Sequence, residues 1–142
     1  MKLLNPLLKC LTLVTLVFTS LAYAETAVIV SAQNANKSLD QDTIARIFLG
    51  KSKSFPDGSQ AVPVDQALNS PTREMFNDKV LAKNNSQLKA YWSRLIFTGK
   101  GTPPKESGSA AEVKDLVANN PNLIGYIDSS AVDESVSVVY KF

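Results

Sequence analysis

The chain contains no histidine and one cysteine, Cys10, in 142 residues. Imidazole and thiolate metal sites, His-based triads and thiol nucleophiles therefore have nothing to build on beyond Cys10. No disulfide can form within the chain. Charge of one sign is also scarce. Lys2 and Lys9 precede the first apolar run, and setting them aside leaves 13 basic residues against 13 acidic ones. Net charge near zero, with no contiguous block of like charge, argues against nucleic acid as a partner. A long hydrophobic run is missing as well: Leu11 to Leu21 is interrupted by Thr and Ser, and falls short of the roughly 18 to 20 apolar residues that span a bilayer. Lys2 and Lys9, that run, and Ala22-Tyr23-Ala24 together spell a secretory signal peptide over residues 1–24. No small residue stands beside Cys10 to make it a lipid-attachment site. The remainder, 25–142, is expected to be exported to the periplasm or beyond, without a membrane span after cleavage. It is long enough for one domain with a modest core.

What the sequence does contain is a set of short elements of alternating period. Ala27-Val28-Ile29-Val30 is a continuous β-branched run, the pattern of a buried strand. A helix follows, with Asp40 as its cap, Ile44, Ile47 and Phe48 on one face, and Gly50 placed to end it in a left-handed conformation. Phe55-Pro56-Asp57-Gly58 reads as a turn, and Ala61 to Asp65 as a second strand. Ser70-Pro71 opens a helix with inward Phe76, Val80 and Leu81 that runs to Asn84-Asn85. Ser86 caps the next one, which carries a stripe of Leu88, Tyr91, Trp92, Leu95 and Ile96 and closes at Gly99. The stripe places Trp92, the one tryptophan, in the core. Gly99 to Gly108 reads as a loop. Ser109-x-x-Glu112 is a capping box for a helix with Val113, Leu116 and Val117 inward. Two strands end the chain, Leu123 to Ile127 and Ser135 to Tyr140, the last at a sheet edge. Strands alternating with helices imply an α/β layered domain.

Few segments carry chemistry. At Asn69-Ser70-Pro71-Thr72-Arg73 a helix begins, so the N–H groups of Thr72 and Arg73, the hydroxyls of Ser70 and Thr72 and the helix dipole would converge on one point suited to a tetrahedral oxyanion. Arg73 would add a charged contact. The plainer alternative is that Ser70 only caps its own helix. Ser86-x-x-Lys89 has the spacing of a serine–lysine nucleophile but no companion motif. Gly99-Lys100-Gly101-Thr102-Pro103-Pro104-Lys105 could wrap an anion, yet it lacks the full phosphate-loop pattern and reads as a solvated connector. No catalysis, metal or cofactor is expected.

The succession LDQDTIARIFLGK (39–51), FPDG (55–58), NSPTREMF (69–76), YWSRLIFTGKG (91–101) and NPNLIGYID (120–128) resembles the periplasmic substrate-binding proteins of phosphate ABC transporters, the PstS type. The resemblance implies one periplasmic-binding-protein-like α/β lobe, a mixed sheet flanked by helices, over 25–142. It implies inorganic phosphate or a similar oxyanion as ligand, and an ABC transporter or another envelope protein as partner. Ser70 and Thr72 match the Ser and Thr of the family's Arg-x-x-x-Ser-Gly-Thr anion loop. Pro71 stands in place of its Gly, removing one backbone donor, and Gln66 in place of its Arg, exchanging a bidentate cation for a neutral amide. The expected binding residues are Gln66, Asn69, Ser70, Thr72 and Arg73. The family is two-lobed, so a lone lobe leaves its anion open to water and salt. A second reading keeps the fold, treats the site as decayed, and assigns a protein-interaction role in an envelope complex.

Overall fold

A computed structural model describes residues 25–142; the signal-peptide reading falls on residues 1–24, outside the described residues. Five strands form one mixed sheet. β1 (Thr26–Ser31) pairs antiparallel with β4 (Leu123–Asp128) on one side and with β5 (Val136–Lys141) on the other. β2 (Val62–Asp65) runs parallel to β4 and to β3 (Lys105–Glu106), giving the order β3-β2-β4-β1-β5. The interior position of β1, between β4 and β5, explains its sequence: both faces are covered, and all six of its residues are buried.

The two faces of β1 divide the core. Val28 and Val30 pack with Ile44, Ile47 and Phe48 of α1 (Gln41–Phe48), Phe76 of α2 (Pro71–Lys79) and Leu88 of α3 (Asn85–Phe97). Ala27 and Ile29 face Val113 and Val117 of α4 (Ala110–Asn119) on the opposite side. In the larger core Phe76 stacks on Tyr126 at 4.1 Å between centroids, and Phe48 meets Phe76 edge-on at 4.6 Å. Such pairs add to plain area burial. On the α4 side β4 must come close to the helix, and Gly125 permits it: a Cβ there would lie 2.7 Å from Val113 Cγ1.

Several helix ends follow the local signals. Asp40 accepts from the Thr43 N–H at 2.8 Å, and Gly50 takes φ +71° after α1. Other ends do not. α2 stops at Lys79 rather than at Asn84-Asn85, because the chain turns at Ala82 with φ +53° and the Leu81 N–H reaches back to the Phe76 carbonyl. Asn84 rather than Ser86 caps α3, in a reciprocal box with Gln87. Between Gly99 and Gly108, β3 forms by pairing with β2, a long-range contact that no local pattern announces. The stripe of α3 is only partly covered: Leu88 is buried, Trp92 half-buried, and Ile96 exposed. Leu116 of α4 is exposed too. Among the described residues, no helix is long and apolar enough to cross a membrane.

Candidate functional site

The carboxyl ends of three adjacent parallel strands carry Glu106 (β3), Asp65 (β2) and Asp128 (β4). This is the edge where open α/β sheets place ligands. Facing it is the start of α2, whose Ser70 cap and Pro71 at the first turn fix the helix direction.

A connected set of hydrogen bonds ties that corner together. The Gln66 side chain, buried, donates from Nε2 to the Tyr126 carbonyl at 2.8 Å and accepts at Oε1 from Ser70 Oγ at 2.6 Å. Ser70 Oγ in turn accepts from the Arg73 N–H at 3.3 Å. Arg73 Nη1 donates to the Gln66 carbonyl at 2.8 Å and to Glu106 Oε1 at 2.7 Å, and Nη2 lies 3.6 Å from Asp65 Oδ2. Its Nε is buried without an acceptor among the described residues. On the other side of the helix start, Thr72 Oγ1 donates to Asp128 Oδ1 at 3.3 Å. The structure thus gathers Gln66, Ser70 and Arg73 into one network and sets Thr72 beside it. Asn69 is exposed and makes no side-chain hydrogen bond among the described residues.

The backbone donors are fewer than the helix start alone suggests. Pro71 has none, the Arg73 N–H is taken by Ser70 Oγ, and the Glu74 N–H by the Ser70 carbonyl. Of the N–H groups in this first turn, only that of Thr72 has no acceptor among the described residues.

Electrostatics are set by burial. Desolvation pushes the Asp65 carboxyl above its ordinary range, against the pull of the Arg73 charge and of the Tyr126 hydroxyl, which donates to Asp65 Oδ1 at 2.7 Å. The same burial, reinforced by the Asp65 charge, raises the Tyr126 hydroxyl, so it remains a donor at all ordinary pH. Arg73 therefore sits between one buried carboxylate and one exposed one. The two contacts differ: the Asp65 side chain is 10% exposed and Glu106 47%. Glu106 is the partner an incoming solute could replace.

Beside this network a cavity of about 440 Å³ is lined by Phe48, Asp65, Arg73, Leu88, Lys89 and Trp92, among others. A second recess of about 440 Å³ along the outer side of α2 contains none of the five sequence-derived residues. Sequence reasoning missed Asp65, Glu106, Asp128 and Tyr126. The two aspartates did leave a signal, since each ends an apolar run at Val64-Asp65 and Ile127-Asp128. Ser86 lies in the first turn of α3 and Lys89 in the second, with no hydrogen bond between them among the described residues. No group of three or more potential metal ligands occurs among the described residues.

The fold is that of one lobe of phosphate-receptor proteins. A phosphate ABC transporter substrate-binding protein from Clostridium perfringens, solved with bound phosphate, matches at 28% identity and TM-score 0.66 over 82% of this chain and 45% of that one. An ABC-type phosphate transport receptor from Vibrio cholerae matches at 19% identity and TM-score 0.63, over 82% of this chain and 46% of that one. PstS from Borrelia burgdorferi matches at 14% identity and TM-score 0.59, over 82% and 47%. The last two likenesses concern the fold alone. The chain spans less than half the length of the solved structures it matches. No protein-family model and no curated protein sequence matches it.

Proposed function

We propose that this chain is an exported, non-catalytic oxyanion-binding lobe, with phosphate as the natural ligand and Arg73, Ser70 and the Thr72 N–H as its seat. The observation that carries the reading is the Glu106 carboxylate, 2.7 Å from Arg73 Nη1. It is itself an oxyanion on the arginine, and its exposure makes it displaceable. A half-exposed ion pair contributes about 0 to 1 kcal/mol, so an external anion replaces it at small cost. The likeness to a phosphate-bound receptor at 28% identity supports phosphate as the solute. Three carboxylates and an open face hold the affinity down. A dissociation constant on the order of 0.1 to 10 mM is expected for the single lobe. Gln66 and Asn69 act around the seat, Gln66 by holding Ser70 and Arg73 in place and Asn69 from the exposed rim.

Titration calorimetry tests this. Heat with phosphate that disappears in Arg73→Ala supports the reading, and no heat with phosphate or sulfate at tens of millimolar removes it.

A second reading has its own observation. The Ser70 hydroxyl already serves Gln66 and its own helix, while Leu68 is 63% exposed beside the site. This suits a protein-interaction subunit of an envelope complex, or a partner of an ABC transporter, on the same fold. A stoichiometric protein partner pulled from envelope extract and retained by both Ser70→Ala and Arg73→Ala would favour it over ligand capture.

A further inference from the structure

The charges of this chain balance in number but not in position. From residue 79 to residue 105 there are six basic side chains, Lys79, Lys83, Lys89, Arg94, Lys100 and Lys105, and no acidic one. From 43 to 56 there are Arg46, Lys51 and Lys53, again with no acid. Only Lys37, Arg73, Lys114 and Lys141 remain for the rest of 25–142, where all 13 acidic residues lie. The fold brings Lys53 of the second segment beside Lys100 and Lys105 of the first. A cleft of about 360 Å³ is lined by Gly50, Lys53, Ile96, Gly99, Lys100 and Gly101, and its neighbour contains Lys53, Lys105 and Trp92. The ion pairs among the described residues involve Arg73, Lys114 and Lys141, and none of these nine cations.

At the same place the last turn of α3 presents Ile96, 55% exposed, and Phe97, 92% exposed. Gly99, with φ +67°, turns the chain directly after them into the lysine-bearing loop. A phenyl ring this bare gains nothing from folding, since its transfer out of water has not happened.

We propose that the end of α3 and the Gly50–Lys53 and Gly99–Lys105 loops form a docking surface for an anionic lipid bilayer. Phe97 and Ile96 enter the headgroup layer, and Lys53, Lys100 and Lys105 pair with lipid phosphates. A bilayer suits this surface better than a protein. Lysine is depleted at protein interfaces, which mix both signs at their rims, whereas a lipid surface is densely and uniformly anionic. Aromatic rings settle at headgroup depth, and lysine stems reach along the apolar layer to the phosphates. A few lysines and one ring give reversible attachment rather than anchoring.

The test uses residues 25–142, which carry all five strands and both cores and omit the apolar run at 11–21. Co-sedimentation is measured with vesicles of phosphatidylcholine, alone or mixed with phosphatidylglycerol, at about 0.05 M and about 0.5 M salt, where the screening length falls from about 14 Å to about 4 Å. Binding to the mixed vesicles at low salt, lost at high salt and absent with phosphatidylcholine alone, is the expected result. Each lysine contributes about fivefold in partitioning, so Lys53→Glu with Lys100→Glu lowers it at least about twenty-fivefold. Phe97→Ser lowers it further, and both variants keep the wild-type circular dichroism because the positions are exposed. Arg73→Ala leaves it unchanged, which separates this surface from the phosphate seat. Equal binding to neutral vesicles, no vesicle binding at low salt, indifference to the lysine reversals, or capture of an acidic protein in place of vesicles overturns the proposal.

Discussion

Glu106→Gln should tighten phosphate binding, and the structure says by roughly how much. The carboxylate holds Arg73 Nη1 at 2.7 Å with about half of its own surface in water. Breaking such a pair costs about 0 to 1 kcal/mol. A bound phosphate would also feel the displaced carboxylate at about 5 Å, a repulsion of about 1 kcal/mol in a nearly aqueous dielectric. Glutamine removes both effects and keeps the side-chain volume. The sum, about 1 to 2 kcal/mol, corresponds to affinity about 5 to 30 times higher. Calorimetric titration of wild type and variant at one pH and low salt measures it, and the gain should shrink as salt screens the exposed charges. An unchanged or weakened affinity in Glu106→Gln would refute the idea that Glu106 occupies the anion's seat.

Three further outcomes follow from the packing and the buried charge. Gly125→Ala puts a methyl 2.7 Å from Val113 Cγ1 and 3.2 Å from Val64 Cγ2, so urea unfolding should reveal a loss of about 1 to 3 kcal/mol; an unchanged midpoint would mean α4 yields freely. Phe76→Ala removes the ring between Phe48 and Tyr126 and should cost about 3 to 5 kcal/mol by the same assay, with a loss under 1 kcal/mol arguing against that core. Burial raises the Asp65 carboxyl above its unfolded value, so the folded chain holds that proton more tightly. The associated stability is full below about pH 4, the unfolded value, and is lost as pH rises through the elevated folded one. Asp65→Asn should therefore be more stable than wild type at pH 7 and equal to it near pH 4, and a variant less stable at pH 7 would contradict this.

Local patterns were read where one residue settles the matter. Asp40 and Gly50 bracket α1, Ser70 and Pro71 start α2, and the unbroken Ala27 to Val30 run marks a strand with two covered faces. Failures cluster where a distant contact decides. Asn84, Asn85 and Ser86 are all competent caps, and the turn at Ala82 selects Asn84. Ile96 and Leu116 have the right spacing for a core, but no element among the described residues covers them. Two residues have no strand signal of their own at Lys105–Glu106, and β2 alone recruits them. The site divides the same way. Ser70 and Arg73 are neighbours in sequence and their meeting was legible, whereas Glu106 is 33 residues from Arg73. Charge segregation was present in the sequence but not in any contiguous run, since neutral residues separate the six cations of 79–105.

The central claim is that the beginning of α2 receives an oxyanion. Amide chemical shifts of isotope-labelled residues 25–142 during a phosphate titration test it most directly. The account predicts saturable shifts largest at Thr72, Arg73 and Ser107, the last because Glu106 moves away from the arginine as phosphate arrives. Shifts confined to the Gly99–Lys105 loop, or none at tens of millimolar phosphate, would contradict it.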